Sequence, residues 1–202
     1  MIDLKKLLSL QASNIIDWHN ELILSENDIP WVFIEENNKW NFQLWHEEDI
    51  ARIKDIDPLR IVEAKRNIDK FNQARNNAME KIDEYILDFL ATNNITGANK
   101  LHSETPGMMI DRLSIMQLKR YHMQEEVKRE DASEEHKLKC IDRVNILDEQ
   151  IKDLSNCLKD VLAQIEIGAL KFKVYRQLKM YNDPSLNPQL YTRNLIDVDG
   201  SK

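Results

Sequence analysis

The sequence predicts an all-α fold, a helical bundle of five or six helices with two long antiparallel members. Three observations carry that expectation. Glycine and proline are scarce, 4 and 5 of 202 residues, which leaves little turn material for an all-β chain. Asp57-Pro58 and Thr105-Pro106 each place a capping side chain before a proline at the first helical position. Cys140, Val144, Leu147, Ile151, Leu154, Leu158, Val161 and Ile165 alternate steps of four and three, a heptad series that requires a long helical neighbour.

Taken in order, Leu4, Leu8, Ile15, Trp18 and Leu22 form one face of a first helix over about residues 3–25, with Gln11 in the missing place. His19 sits beside that stripe and reads as an edge residue. Asp28-Ile29-Pro30 ends the helix, because proline cannot continue it. IPWVFI lacks a helical period and reads as a short extended segment or an aromatic plug, and Asn37-Asn38 as a turn. A second helix then starts at residue 38 or 39, with Trp40, Leu44 and Ala51 on one apolar line and Phe42, Trp45 and Ile53 on another. His46 and Asp49 share a face of it, and Glu48 with Arg52 reads as a surface ion pair. The third helix runs over about 58–91, its heptad places filled by Ile61, Ala64, Ile68, Phe71, Arg75, Ala78, Ile82, Tyr85 and Phe89. Only Arg75 breaks that apolar series. Gly97 reads as a stop and 98–104 as a connector. The fourth helix spans about 106–129 and the fifth about 134–167. A basic-aromatic segment, KFKVYRQLKMYNDP, follows Gly168. Residues 1–191 read as one domain and 192–202 as a flexible tail.

Composition excludes several function classes. The formal net charge of -7 argues against general nucleic-acid binding, which needs a basic surface. Cys140 and Cys157 lie about 25 Å apart along one helix, too far to bridge. Their spacing fits no zinc or redox motif, so they point to a reducing compartment. No apolar run is long enough for a transmembrane segment and the N-terminus is a poor signal peptide, which together predict a cytoplasmic protein. G-x-S-x-G, Walker, G-x-G-x-x-G and H-E-x-x-H motifs are absent. No Glu-x-x-His occurs, against a di-iron site.

Four polar features remain. Arg75 cannot lose its charge, so burial in a seam demands acidic partners, either as a structural pair or as an anion holder. Packing of helices two to four would bring together several of His46, Glu47, Asp49, Glu80, Asp83, Glu104, Asp111 and His122, and carboxylates with imidazoles suit a divalent metal. Thr105-Pro106-Gly107 is a good helix start and equally an anion site, with Arg112 one turn in. Lys171, Lys173, Arg176 and Lys179 with Phe172, Tyr175 and Tyr181 suit a phosphate-bearing ligand or acidic partner, or else offset the helix dipole.

LWHEEDIAR, KRNIDKFNQARNNAMEKID, HSETPGMMIDRLSIMQLKRYHM and KVYRQLKMYNDPSLNPQLY together resemble a bacterial family known as a domain of unknown function, number four-two-five-four, over roughly 38–191. In the second of these motifs the family usually has an acid where Asn77 stands. The resemblance implies a bacterial setting and an association with glycosyltransferases of envelope glycan assembly, but no mechanism. The expectation from residues and resemblance together is a ligand-binding or enzymatic bundle acting on an anionic, phosphate- or nucleotide-linked sugar. His46, Asp49 and His122 are its candidate catalytic groups. Arg75, Glu80, Glu104, Asp111, Arg112 and Arg176 are its candidate ligand-binding groups. A divalent metal is the candidate cofactor, and a glycosyltransferase-type partner or homo-oligomer fits the same setting. The alternative is a non-catalytic interaction module for a partner protein. Asp111 and His122 lie three turns apart on one line, so they serve either two ends of a groove or two separate pairs.

Overall fold

A computed structural model describes residues 1–96, 98–178 and 183–192. It is an all-α bundle of α1 (Leu4–Trp18), α2 (Trp31–Ile50), α3 (Pro58–Thr92), α4 (Pro106–Lys128) and α5 (Glu134–Glu166). A further helical turn spans 188–192. α2 lies along α3 and α4 along α5, while α1 rests on α2 and α4. The helix starts follow the capping chemistry. Asp57 accepts from the Leu59 amide at 2.9 Å, Thr105 Oγ1 from Met108 at 3.2 Å and Ser133 Oγ from His136 at 3.2 Å. Glu134 and Glu135 add negative charge to the first turn of α5.

Of the heptad places, Ile82 of α3 and Leu154, Leu158 and Ile165 of α5 meet in one core, joined there by Ile86 of α3 and by Ile110 and Leu113 of α4. A smaller cluster of Ile15, Trp18, Phe42 and Leu118 closes the other end of the bundle, with Leu22, Trp45 and Tyr121 against it. Gly107 sets the closest approach of α3 and α4. A Cβ there would lie 2.5 Å from the Met79 carbonyl oxygen, and the Gly107 amide donates to Asp83 Oδ1 at 2.7 Å.

Three expectations are corrected. The first helix stops at Trp18, not near residue 25: the chain turns back so that Trp18 Nε1 donates to the Ile23 carbonyl at 2.9 Å. Leu22 still packs on the cluster, from the turn instead of the helix. The second helix starts at Trp31, and Asn37-Asn38 is a helix interior, not a turn. Tertiary bonds override the local preference of asparagine. Asn37 Nδ2 donates to Asp111, Asn38 Nδ2 to the Gln11 carbonyl, and Asn38 Oδ1 accepts from Ser114. The connector before α4 carries β1 (Lys100–Leu101), which pairs in parallel with β2 (Leu170–Lys171) beyond α5. Gly97 lies outside the described residues, and α3 ends through Asn94 at φ 55°. Lys179, Tyr181 and 193–202 also lie outside them.

Candidate metal centre

Each of three helices carries a histidine one turn beyond a buried apolar anchor: Ile15 and His19 on α1, Phe42 and His46 on α2, Leu118 and His122 on α4. Residues four apart share a helix face, so packing the three anchors together brings the three imidazoles together. One ring nitrogen of each lies within 4.8 Å of the other two. Their ring centroids are 5.3 Å apart for His19–His46, 5.2 Å for His19–His122 and 5.7 Å for His46–His122. Aromatic rings wall the group. Trp45 stacks on His122 at 4.7 Å, Tyr121 on His19 at 4.4 Å, and Phe42 meets His46 edge-on at 4.5 Å.

Hydrogen bonds determine which nitrogens are left. His19 Nδ1 lies 2.6 Å from the Ile15 carbonyl, an acceptor only, so it carries the proton. His122 Nδ1 donates to the Glu125 carboxylate at 2.7 Å. In both neutral rings the lone pair then sits on Nε2, and both Nε2 atoms are buried without a partner. A carbonyl and a carboxylate behind imidazoles are the outer contacts that orient metal-binding histidines. Burial holds His46 below the ordinary histidine range, and the neighbouring His19 and His122 push it further down against Asp49 and Glu125. The neutral, ligating form is thereby favoured. Burial and the Glu125 carboxylate raise the Tyr121 phenol. Tetrahedral ligation at about 2.1 Å would set nitrogens about 3.4 Å apart.

Two cavities flank α2 and share Trp45 and Asp49 as a common wall. One, of about 520 Å³, lies between α2, α4 and α5 and is lined by His122, Lys119, Glu125, Arg143, Ile146 and Leu147 among others. The second, of about 340 Å³, is lined by Asn41, Glu48, Arg52, Asn72, Arg75 and Ile115 among others. Arg52 is exposed and pairs with Glu48 at 2.8 Å.

The remaining predicted residues fall into separate places. Arg75 Nε lies 3.0 Å from Asp111 Oδ1, an ion pair whose N–H is not aligned on the oxygen. Asn37 and Asn41 each donate to the same Oδ1 at 2.9 Å. Arg112 pairs with Glu104. Arg176 pairs with Glu80 at 2.7 Å and Glu84 at 2.5 Å, tying the segment after β2 onto α3. The amide at the start of α4 already holds an anion, the protein's own Asp83. Burial pushes that carboxyl up to about 6, with Glu80 and Glu84 adding to the rise and bonds from Thr105 and Gly107 opposing it. Thus the structure joins His46 to His122, sets Asp49 beside them, and separates them from Arg75–Asp111, Glu80–Arg176 and Glu104–Arg112. Asn77 lies on the exposed face of α3, where Gln73 donates to it.

The family model described as "Protein of unknown function (DUF4254)" matches residues 31–174. The chain belongs to the DUF4254 family. No curated protein and no solved structure matches it. In this DUF4254 chain the matched span begins at the first residue of α2 and contains His46, His122, Arg75 and Asp111, while His19 precedes it. The sequence reads His19 as an edge residue and does not single out Lys119 or Arg143, which line the larger of the two cavities flanking α2. The apolar-x-x-x-His step repeated on three helices was the available signal for His19.

Proposed function

We propose that this DUF4254 protein is a metal-dependent bundle whose divalent transition metal is held by His19, His46 and His122 and which acts on an anionic ligand. The observation that supports it is the pair of buried Nε2 lone pairs on His19 and His122, each backed by a fixed Nδ1 hydrogen bond, beside a nitrogen of His46. Three neutral imidazoles suit zinc and its neighbours. Such an ion leaves a position for water or substrate, and supplies Lewis acidity and a water of lowered pKa. Asp49, at the wall between the two cavities, is the nearby carboxylate for proton transfer. A phosphate- or nucleotide-linked sugar of envelope glycan metabolism is the ligand class we infer. The two cysteines, without a disulfide, accord with a cytoplasmic setting. The alternative, an interaction module, has exposed Leu138 and Ile141 on α5 in its favour, but it leaves the bare imidazole nitrogens without a purpose. The test is calorimetric titration of the metal-free full chain with zinc, and cobalt absorption spectroscopy. One equivalent should bind, and alanine at His19, His46 or His122 should weaken it at least tenfold. Glu125→Gln should weaken it by about 10–100-fold. Binding should weaken as pH falls through the His46 value, which burial holds below the ordinary 6.5. Absence of uptake, or uptake indifferent to all three alanines, would refute the reading.

A further inference from the structure

Lys119 and Arg143 are cations on the cavity between α2, α4 and α5, and within the described residues neither has an ion-pair or hydrogen-bond partner. That distinguishes them from the arginines the sequence suggested, since Arg75, Arg112 and Arg176 are each already neutralised by a carboxylate. Three carboxylates share the lining. Glu125 accepts from His122 Nδ1–H, and Glu126 pairs with Arg129 and His136. Asp49 has no ion-pair partner among the described residues and only partly opposes the lowering of His46. The rest of the lining is Trp45, Met123, Ile146 and Leu147. A cavity of about 520 Å³ is in the range that encloses small molecules. His122, which lines it, is also one of the three clustered imidazoles.

We propose that this cavity binds a small phosphate monoester with an apolar or aromatic body. Lys119 and Arg143 hold the phosphate, and the body lies on Trp45, Ile146 and Leu147. A guanidinium grips phosphate oxygens bidentately where lysine adds a point charge. The proposal deepens the metal reading and rests on it for the chemistry at the His122 end. Binding itself needs only the cavity and the cations.

The experiment titrates 1-naphthyl phosphate into the full chain by calorimetry, in metal-free and zinc-loaded forms, beside inorganic phosphate and 1-naphthol. The ester should bind at least tenfold tighter than either fragment in both forms. Lys119→Ala and Arg143→Ala, both exposed positions, should each weaken it at least fivefold, with Arg143→Lys in between. Equal affinity for naphthol and ester would overturn the proposal, because the cavity would then be reading the apolar body alone. So would binding indifferent to both alanines, or no ester binding by a chain that still takes up zinc. Ester binding intact in a chain that takes up no zinc would support the pocket and sink the metal centre.

Discussion

Gly107→Ala tests the crossing that positions α4. The added Cβ would meet the Met79 carbonyl oxygen at 2.5 Å, Asp83 Oδ1 at 2.9 Å and Asp83 Cγ at 3.0 Å. The nearest of these is backbone inside α3 and cannot turn aside, so α4 must move off by several tenths of an ångström. Overpacking of that kind costs about 1–3 kcal/mol. The shift also stretches the 2.7 Å bond from the Gly107 amide to Asp83, and bonds to charged groups are worth about 1.5–3 kcal/mol. Against this, alanine in a helix gains up to about 1 kcal/mol over glycine. The net expectation is a loss of about 2–4 kcal/mol, read as the change in unfolding free energy from urea titrations followed by circular dichroism. A variant within about 0.5 kcal/mol of the parent, the range of surface substitutions, would refute the reasoning.

Asp83→Asn removes a charge that burial disfavours. The native carboxyl is raised from 3.8 to about 6, so the stability it contributes is fully present below pH 3.8 and lost as pH rises through about 6. That amounts to about 3 kcal/mol between pH 4 and 7, and the asparagine variant should lack this slope; parallel stability–pH profiles would contradict the assignment. Arg75→Ala leaves buried Asp111 with only the Asn37 and Asn41 amides and should cost about 3–5 kcal/mol, part of it recovered in the double variant with Asp111→Ala. A loss below about 1 kcal/mol in denaturant titrations would show that the pair carries no such weight.

The long helices were legible because their signals are local. α3, α4 and α5 begin at capping residues and end within about two residues of the places their periodicity predicts. The start of α2 was not, because Asn37 and Asn38 favour turns until partners from α1 and α4 supply their hydrogen bonds. Nothing near position 37 in the chain announces Gln11 or Asp111. Likewise Leu22 continues the spacing of the first stripe, yet it reaches its cluster after the helix has stopped. At the site, Arg75 stood out as a charge in an apolar series, but its partner on α4 lies 36 positions away and several acids competed for it. Histidine types and the face they occupy were readable, whereas their convergence depended on how three helices cross.

Asp111 and His122 mark two levels on α4, eleven residues or about 16 Å apart. An 11-residue step returns to almost the same helix face, which is why both enter the bundle. The levels are answered differently. At the first, the Asp111 charge meets Arg75 and two amides, a set of donors sufficient for a structural role. Bare amide oxygens there, on Gln11 and Asn37, need no more than a water as donor. At the second level, one nitrogen of each of three imidazoles lies within 4.8 Å of the others in a wall of aromatic rings, and two Nε2 atoms are buried without a partner. A single water donates to two acceptors at most, and protonating one ring is opposed by burial, as the lowered His46 shows. A cation satisfies all three at once without that penalty on any ring, and the Glu125 and Ile15 contacts already present the right face of two of them. The two levels thus differ in their partners: Asp111 is met by Arg75 and two amides, and the metal proposal applies to the level of His122. Asp49 and Trp45 border the cavities on both sides.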